Sequence, residues 1–187
     1  MVGMSGNAMS VHLYFELRQN DVPIDPRPGV CRHHYNIAPV QEDLISPLQS
    51  NQPYRVTTDF IPGWHVGIDL ASPRGTPIYA SHSGVVVYAG DNLIGLGEMV
   101  IIDHGDGMST VYGHLDNRFV DCGEQVRQGQ HIGAMGDSGN STGVHLHFEI
   151  RENDVPVNPR SYIEFSEAVN DEPQIVPPTP LYLEYLD

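Results

Sequence analysis

Gly143-Val-His-Leu-His-Phe-Glu-Ile-Arg151 decides the reading of this chain. Read as a strand, it sends Leu146, Phe148 and Ile150 to one face and His145 and His147 to the other. The first set suits a core. The second puts two imidazoles side by side, roughly 7 Å apart along the strand. A rigid, half-buried strand carrying two histidines suits a metal ligand next to a proton-transfer group.

The rest of the chain fits a β protein. Its 187 residues include 19 Gly and 15 Pro, and hydrophobic residues make up 40%. Strand-like runs outnumber helical ones, and no stretch holds a helical period for long. Candidate strands are 77–80, 84–89, 98–103, 109–115, 131–135 and 144–151, separated by turn signals such as Gly105-Asp-Gly107 and Gly136-Asp-Ser-Gly139. Antiparallel sheets are therefore expected. With a formal charge of -15 the chain is expected to repel nucleic acid and anionic membrane surfaces. No apolar run is long enough to span a membrane. The first residues lack the basic region and apolar stretch of a secretion signal, so a processed product, a truncated piece or release by another route is expected. Cys31 and Cys122 allow one disulfide or two buried thiols, and their spacing is not that of a zinc ribbon.

An internal repeat organises the chain. Residues 3–27 align without gaps to residues 136–160, with sixteen of 25 positions identical. His12-Leu-Tyr14-Phe-Glu-Leu-Arg18 matches the strand quoted above, with Tyr14 where His147 stands. Tyrosine is a poor zinc ligand at neutral pH because its hydroxyl pKa is about 10. The expected organisation is a partial, degenerate repeat over 1–28, a linker over 29–55, one complete domain over 56–163 and an acidic, Pro-rich tail over 164–187. The partial repeat is a remnant of a tandem domain, the result of a lost gene front, or a strand that pairs with a sheet edge on this chain or another. The tail is read as surface packing or an interaction segment.

Two more segments carry candidate chemistry. The spacing of four in His65-Val-Gly-Ile-Asp69 keeps an imidazole and a carboxylate on one face in a strand, and nearly so in a helix, with Gly67 leaving the space between them open. Thr110-Val-Tyr-Gly-His114 puts His114 on the strand face of Thr110 and Tyr112. Singly, each is explained as well by surface or structural residues. Jointly, His65, Asp69 and His147 offer two nitrogens and one oxygen to a metal and leave a fourth tetrahedral position for water. A catalytic zinc site is built that way, whereas a structural one is closed by four protein ligands. His114 and His145 remain for proton transfer and oxyanion stabilisation. His104 is read as structural, His82 and His131 as exposed, and Arg32-His33-His34 as part of the linker.

With these residues the sequence resembles the lysostaphin-type, or LytM-domain, zinc metallopeptidases that cut peptidoglycan peptides. The resemblance runs over about residues 60–160, through His65-Val-Gly-Ile-Asp69, Gly84-Val-Val-Val-Tyr-Ala-Gly90, Val100-Ile-Ile-Asp-His-Gly105, Tyr112-Gly-His-Leu115, Ser138-Gly-Asn-Ser-Thr-Gly143 and His145-Leu-His-Phe-Glu149. It implies a mainly β, antiparallel duplicated-hybrid-motif domain, flanked here by an extended N-terminal segment and a C-terminal tail. It also implies one Zn2+ on His65, Asp69 and His147, with catalytic histidines at His114 and His145. The implied reaction is hydrolysis of an amide bond in a stem or cross-bridge peptide, in the cell envelope, outside the cell or on a phage virion. Two other classes compete. A non-catalytic LytM-type regulator or scaffold typically lacks one of the five residues present here. A phosphotransfer domain of similar architecture would leave His65-x-x-x-Asp69 without a task.

Overall fold

The computed structural model describes residues 43–92 and 95–166, together with the backbone of two short strands near the N-terminus. Those two are β1 (Leu17–Gln19) and β2 (Val22–Ile24). The main unit begins with β3 (Arg55–Thr58), β4 (Ile68–Ala71), β5 (Pro77–Tyr79), β6 (Gly84–Asn92) and β7 (Gly97–Gly105). It continues with β8 (Met108–Gly113), β9 (Leu115–Arg118), β10 (Gln125–Val126), β11 (His131–Met135), β12 (Leu146–Glu152) and β13 (Val155–Val157). One 3-10 turn, Pro159–Ser161, is the only helical element among the described residues.

Every pairing among these strands is antiparallel. The large sheet runs β10-β6-β7-β8-β12-β4-β3, with β13 added on β12, and a small sheet runs β5-β11-β9. The core fills the space between them: Ile68, Leu70, Tyr112, Leu146, Phe148 and Ile150 from the large sheet, and Ile78, Leu115, Ile132 and Met135 from the small one. Truncating a side chain as large and as fully buried as Phe148 costs about 3–5 kcal/mol.

The alternation read from residues 143–151 is present, but β12 is not half-buried. His147 and Glu149 on its other face are also buried, at 5% and 1% exposure. On that face of the ladder Val111, opposite Glu149, belongs to a second apolar cluster with Tyr88 and Met99, against which Leu96 and Ile101 pack.

The described part of the expected linker packs on the domain, for Leu48 and Tyr54 are core residues. Phe165, placed in the tail by its sequence, joins the same core. The repeat is visible in the backbone as well. β1 pairs with β2 through Leu17↔Ile24, Arg18↔Pro23 and Gln19↔Val22. These positions are equivalent to Ile150↔Val157, Arg151↔Pro156 and Glu152↔Val155 of β12 and β13. Cys122 is disulfide-bonded rather than a free thiol, while Cys31, His33, His34 and the tail beyond residue 166 lie outside the described residues.

His82 was expected at the surface and is instead buried, at 3% exposure. It packs edge-on against His104, its ring Nδ1 2.9 Å from the Ser83 carbonyl. His131 is exposed as expected. His104 is structural and sits in β7. Its Nδ1–H donates to the Ser83 carbonyl (2.9 Å), so its Nε2 accepts from the Thr110 hydroxyl (2.8 Å). Thr110 has one hydroxyl proton, and Tyr112 must therefore donate to it (2.9 Å) while accepting from the Ser81 amide (2.8 Å). Each polar group in this relay from Ser83 through His104, Thr110 and Tyr112 to the Ser81 amide thus has one allowed orientation.

Candidate metal centre

The site is assembled from one cross-strand pair and three turns. In the β4–β12 ladder His147 lies directly opposite Asp69. His65 comes from the turn before β4, closed by Ile61 N–H to the His65 carbonyl (2.8 Å) and His65 N–H to the Ile61 carbonyl (2.9 Å). The shared face expected from the four-residue spacing comes from neither a regular strand nor a helix: β4 begins at Ile68, and the turn brings His65 back over Asp69.

Three ligand atoms meet. His65 Nε2 is 3.1 Å from Asp69 Oδ1, His147 Nδ1 is 2.9 Å from the same oxygen, and the two nitrogens are 3.2 Å apart. Tetrahedral zinc with bonds of 2.0–2.1 Å holds its ligand atoms about 3.3 Å apart. The outer nitrogen of each ring is already used. His65 Nδ1–H donates to the Asp59 carbonyl (2.9 Å), and His147 Nε2–H donates to Glu149 Oε1 (3.0 Å). The inner nitrogens of neutral rings then face each other with lone pairs. That arrangement is stable only with a proton or a cation between them, so the donor set fits a metal such as zinc.

The electrostatics agree. Burial alone would disfavour charge on His147, yet its hydrogen bonds to Asp69 and Glu149 outweigh burial and raise its pKa to about 9. Burial likewise opposes ionisation of Asp69, and the hydrogen bond and charge of His147 outweigh it and lower the carboxyl pKa. The two carboxylates therefore hold positive charge at this point, and a metal cation is the other candidate for that field.

His114 and His145 stand beside the ligands, their ring centroids 4.7 Å apart. His114 Nδ1–H donates to the Ser138 carbonyl (2.7 Å) and His145 Nδ1–H to the Gly143 carbonyl (2.8 Å). Each leaves Nε2 uncommitted, and His145 Nε2 lies 3.7 Å from Asp69 Oδ1. Burial lowers the pKa of His114, helped by the neighbouring His145 and His147 and opposed by its bond to Ser138. A neutral His114 at pH 7 follows.

The assumption that His114 shares the face of Thr110 and Tyr112 is corrected. Those two point into the core, whereas His114 has a φ of 60°, which ends β8 and turns the ring toward the site. Gly67 does not leave an open space either. A Cβ there would lie 2.6 Å from the Phe148 carbonyl oxygen and 2.8 Å from His147 Cε1 and Nε2. The His147 ring occupies the place a side chain would take.

Sequence reasoning assigned no role to Glu149, although its place two residues after His147 signalled a shared face. The carbonyls of Asp59, Ser138 and Gly143 carry no side-chain signal. Their positions come from turns, such as the contact between Gly97 and Gly139, where either Cβ would come within 2.4 Å of the other's backbone.

Residues 63–159 match the sequence pattern of peptidase family M23, just over half of the chain. The chain belongs to this family. The LytM-type fold and resemblance read from its motifs are thereby established. Among curated relatives, "Uncharacterized lipoprotein YgeR" of Escherichia coli K12 is 43% identical over 101 residues, covering 54% of this chain and 40% of that protein. "DD-carboxypeptidase/endopeptidase Mpg" of Neisseria meningitidis serogroup B is 47% identical over 97 residues, covering 52% of this chain and 22% of that protein. Among solved structures, a zinc-containing peptidase from Vibrio cholerae superposes with a TM-score of 0.60 at 28% identity, covering 67% of this chain and 41% of that one. The M23 member thus spans less than half the length of each of these relatives.

Proposed function

We propose that this chain is a zinc-dependent endopeptidase that hydrolyses amide bonds in peptidoglycan stem or cross-bridge peptides in the bacterial envelope. The observation that carries the reading is the convergence of His65 Nε2, Asp69 Oδ1 and His147 Nδ1 beside two further histidines with uncommitted Nε2 atoms. Zinc held there would supply Lewis-acid polarisation and a water acidified to a pKa of about 7. The chain's own groups supply the rest. His114, neutral and locked through Nδ1 to Ser138, accepts the proton of the attacking water at Nε2. His145, held through Nδ1 to Gly143, directs its Nε2 to the same space and, when protonated, donates to the developing oxyanion. The proton taken up by His114 is returned to the leaving amine.

The envelope setting and the substrate class are supported by the names of the relatives, a lipoprotein and a DD-carboxypeptidase/endopeptidase. They favour the envelope over a phage virion. A non-catalytic regulator is the second reading, because an uncharacterised lipoprotein stands among the relatives. The assembled set of five residues favours the enzyme.

The test is digestion of purified peptidoglycan with and without a chelator, read by mass analysis of the fragments. New amine termini that disappear with chelator and in His147→Ala are expected. Cleavage that survives both would refute the zinc assignment, and zinc uptake without cleavage would establish the regulator.

A further inference from the structure

We propose that Glu149 is a positioning residue for the metal, and that Arg151 holds it in that role. The inference rests on the reading of His147 as a ligand. β12 places His147, Glu149 and Arg151 on one face, opposite Gly113, Val111 and Ser109 of β8. The Glu149 side chain is only 2% exposed, and its two oxygens are divided between two partners. Oε1 accepts from His147 Nε2 at 3.0 Å, and Oε2 accepts from Arg151 Nε at 2.7 Å.

Three consequences follow for the metal. The bond to Oε1 occupies Nε2, so only Nδ1 of His147 can face Asp69 and His65. A carboxylate behind the ring strengthens the imidazole as a donor more than a neutral acceptor would. The ring plane is also pinned at the point where Gly67 allows it to approach the turn. Arg151 is the outermost member, 30% exposed, and balances the buried charge from the edge of a cavity of about 510 Å³ that it lines with Ser109 and Asn153. An anchor for the sheet alone would need the Glu149–Arg151 pair and not the bond to His147. The degenerate repeat makes this alternative concrete, since it keeps Glu16 and Arg18 at the equivalent positions while Tyr14 replaces the histidine.

The experiment separates the two roles in the whole chain. Metal is stripped from wild type and Glu149→Gln, and zinc affinity is measured by competition with a chromophoric chelator. Melting of the metal-free proteins and the visible spectrum of the cobalt-loaded forms are recorded alongside. Glu149→Gln is expected to bind zinc roughly 10- to 100-fold more weakly and to shift the cobalt bands. If Glu149→Gln does not fold, Glu149→Asp carries the test, because it keeps the charge and withdraws the oxygen from His147; the same loss of affinity is expected. A variant that melts lower but binds zinc as wild type does would overturn the inference and leave Glu149 an anchor. A wild-type protein that takes up no zinc would instead overturn the metal reading on which it rests.

Discussion

Replacing Gly67 with alanine adds one methyl group in the position where it should do most damage. At a glycine whose conformation other residues can adopt, this change ordinarily stabilises by about 0.4–1 kcal/mol through the unfolded chain. Gly67 does not have a positive φ, so no backbone penalty applies. The outcome is decided by space. The new Cβ would sit 2.6 Å from the Phe148 carbonyl oxygen and 2.8 Å from two atoms of the His147 ring. Ordinary contact needs about 3.5 Å, so something must move by most of an ångström. The carbonyl belongs to the β12–β4 ladder, where Phe148 faces Ile68. The ring is held by Glu149 on one side and Asp69 on the other. Neither can retreat freely, and overpacking of this kind costs about 1–3 kcal/mol. For a domain of this size that lowers Tm by roughly 4 °C per kcal/mol. A drop of roughly 4–12 °C is expected in the metal-free protein by circular dichroism, with weakened zinc binding because His147 is the group displaced. Gly143→Ala is the internal control: nothing lies within 4 Å of its Cβ and its φ is not positive. A Gly67→Ala protein that melts at or above wild type and binds zinc equally well would refute the reasoning.

Two further outcomes are expected. Burial holds His104 at a pKa of about 4 against an ordinary 6.5, so between these values the unfolded chain binds more protons. The stabilising contribution of keeping His104 neutral is complete above pH 6.5 and lost as pH falls toward 4, about 3 kcal/mol at most; urea titrations from pH 7 to 4 should show this loss, flattened in His104→Asn. Zinc at about 1,000 times its dissociation constant should stabilise the metal-free protein by about 4 kcal/mol, seen as a rise in Tm that His147→Ala abolishes; an equal rise in that variant would place the ion elsewhere.

The β class and the main strands were legible because period-two alternation and glycine-marked turns are local properties. β11 begins and ends at the expected residues, and the other expected strands are present with bounds that differ by a few residues or with a break, as at His114. β3, β4, β10 and β13 were not anticipated. They are two to four residues long, too short for a period to register; β4, β10 and β13 exist because the longer β12 and β6 offer them a ladder, and β3 adds to the edge of β4. The five candidate residues were legible from spacing and resemblance, but the reasons they meet were not. His65 reaches Asp69 through a turn, and His114 reaches His145 through a positive φ. The first is a local turn closed by Ile61 and His65 that carries no periodic signal, and the second depends on the Leu96 and Ser138 carbonyls, which come from distant segments. His82 was misplaced because its burial comes from packing on His104, a partner that its neighbours in sequence do not reveal.

The position of the inner ring nitrogens, more than the acceptor behind each ring, separates the two jobs these histidines are proposed to do. All four rings donate one N–H outward, to Asp59, Ser138, Gly143 and Glu149, each from a different turn or strand. Three of these acceptors are main-chain carbonyls and one is a carboxylate. The carboxylate stands behind His147, where stronger donation to the proposed metal is useful, whereas the carbonyls behind His65, His114 and His145 fix the tautomer without adding a full negative charge. His145 Nε2 stays 3.7 Å from Asp69 Oδ1, outside the 2.9–3.2 Å triangle of the ligand atoms. A fourth protein ligand would have closed that triangle into a structural site. Holding His145 just beyond it, on its own carbonyl, favours an open coordination position with two proton-transfer groups beside it, as hydrolysis requires.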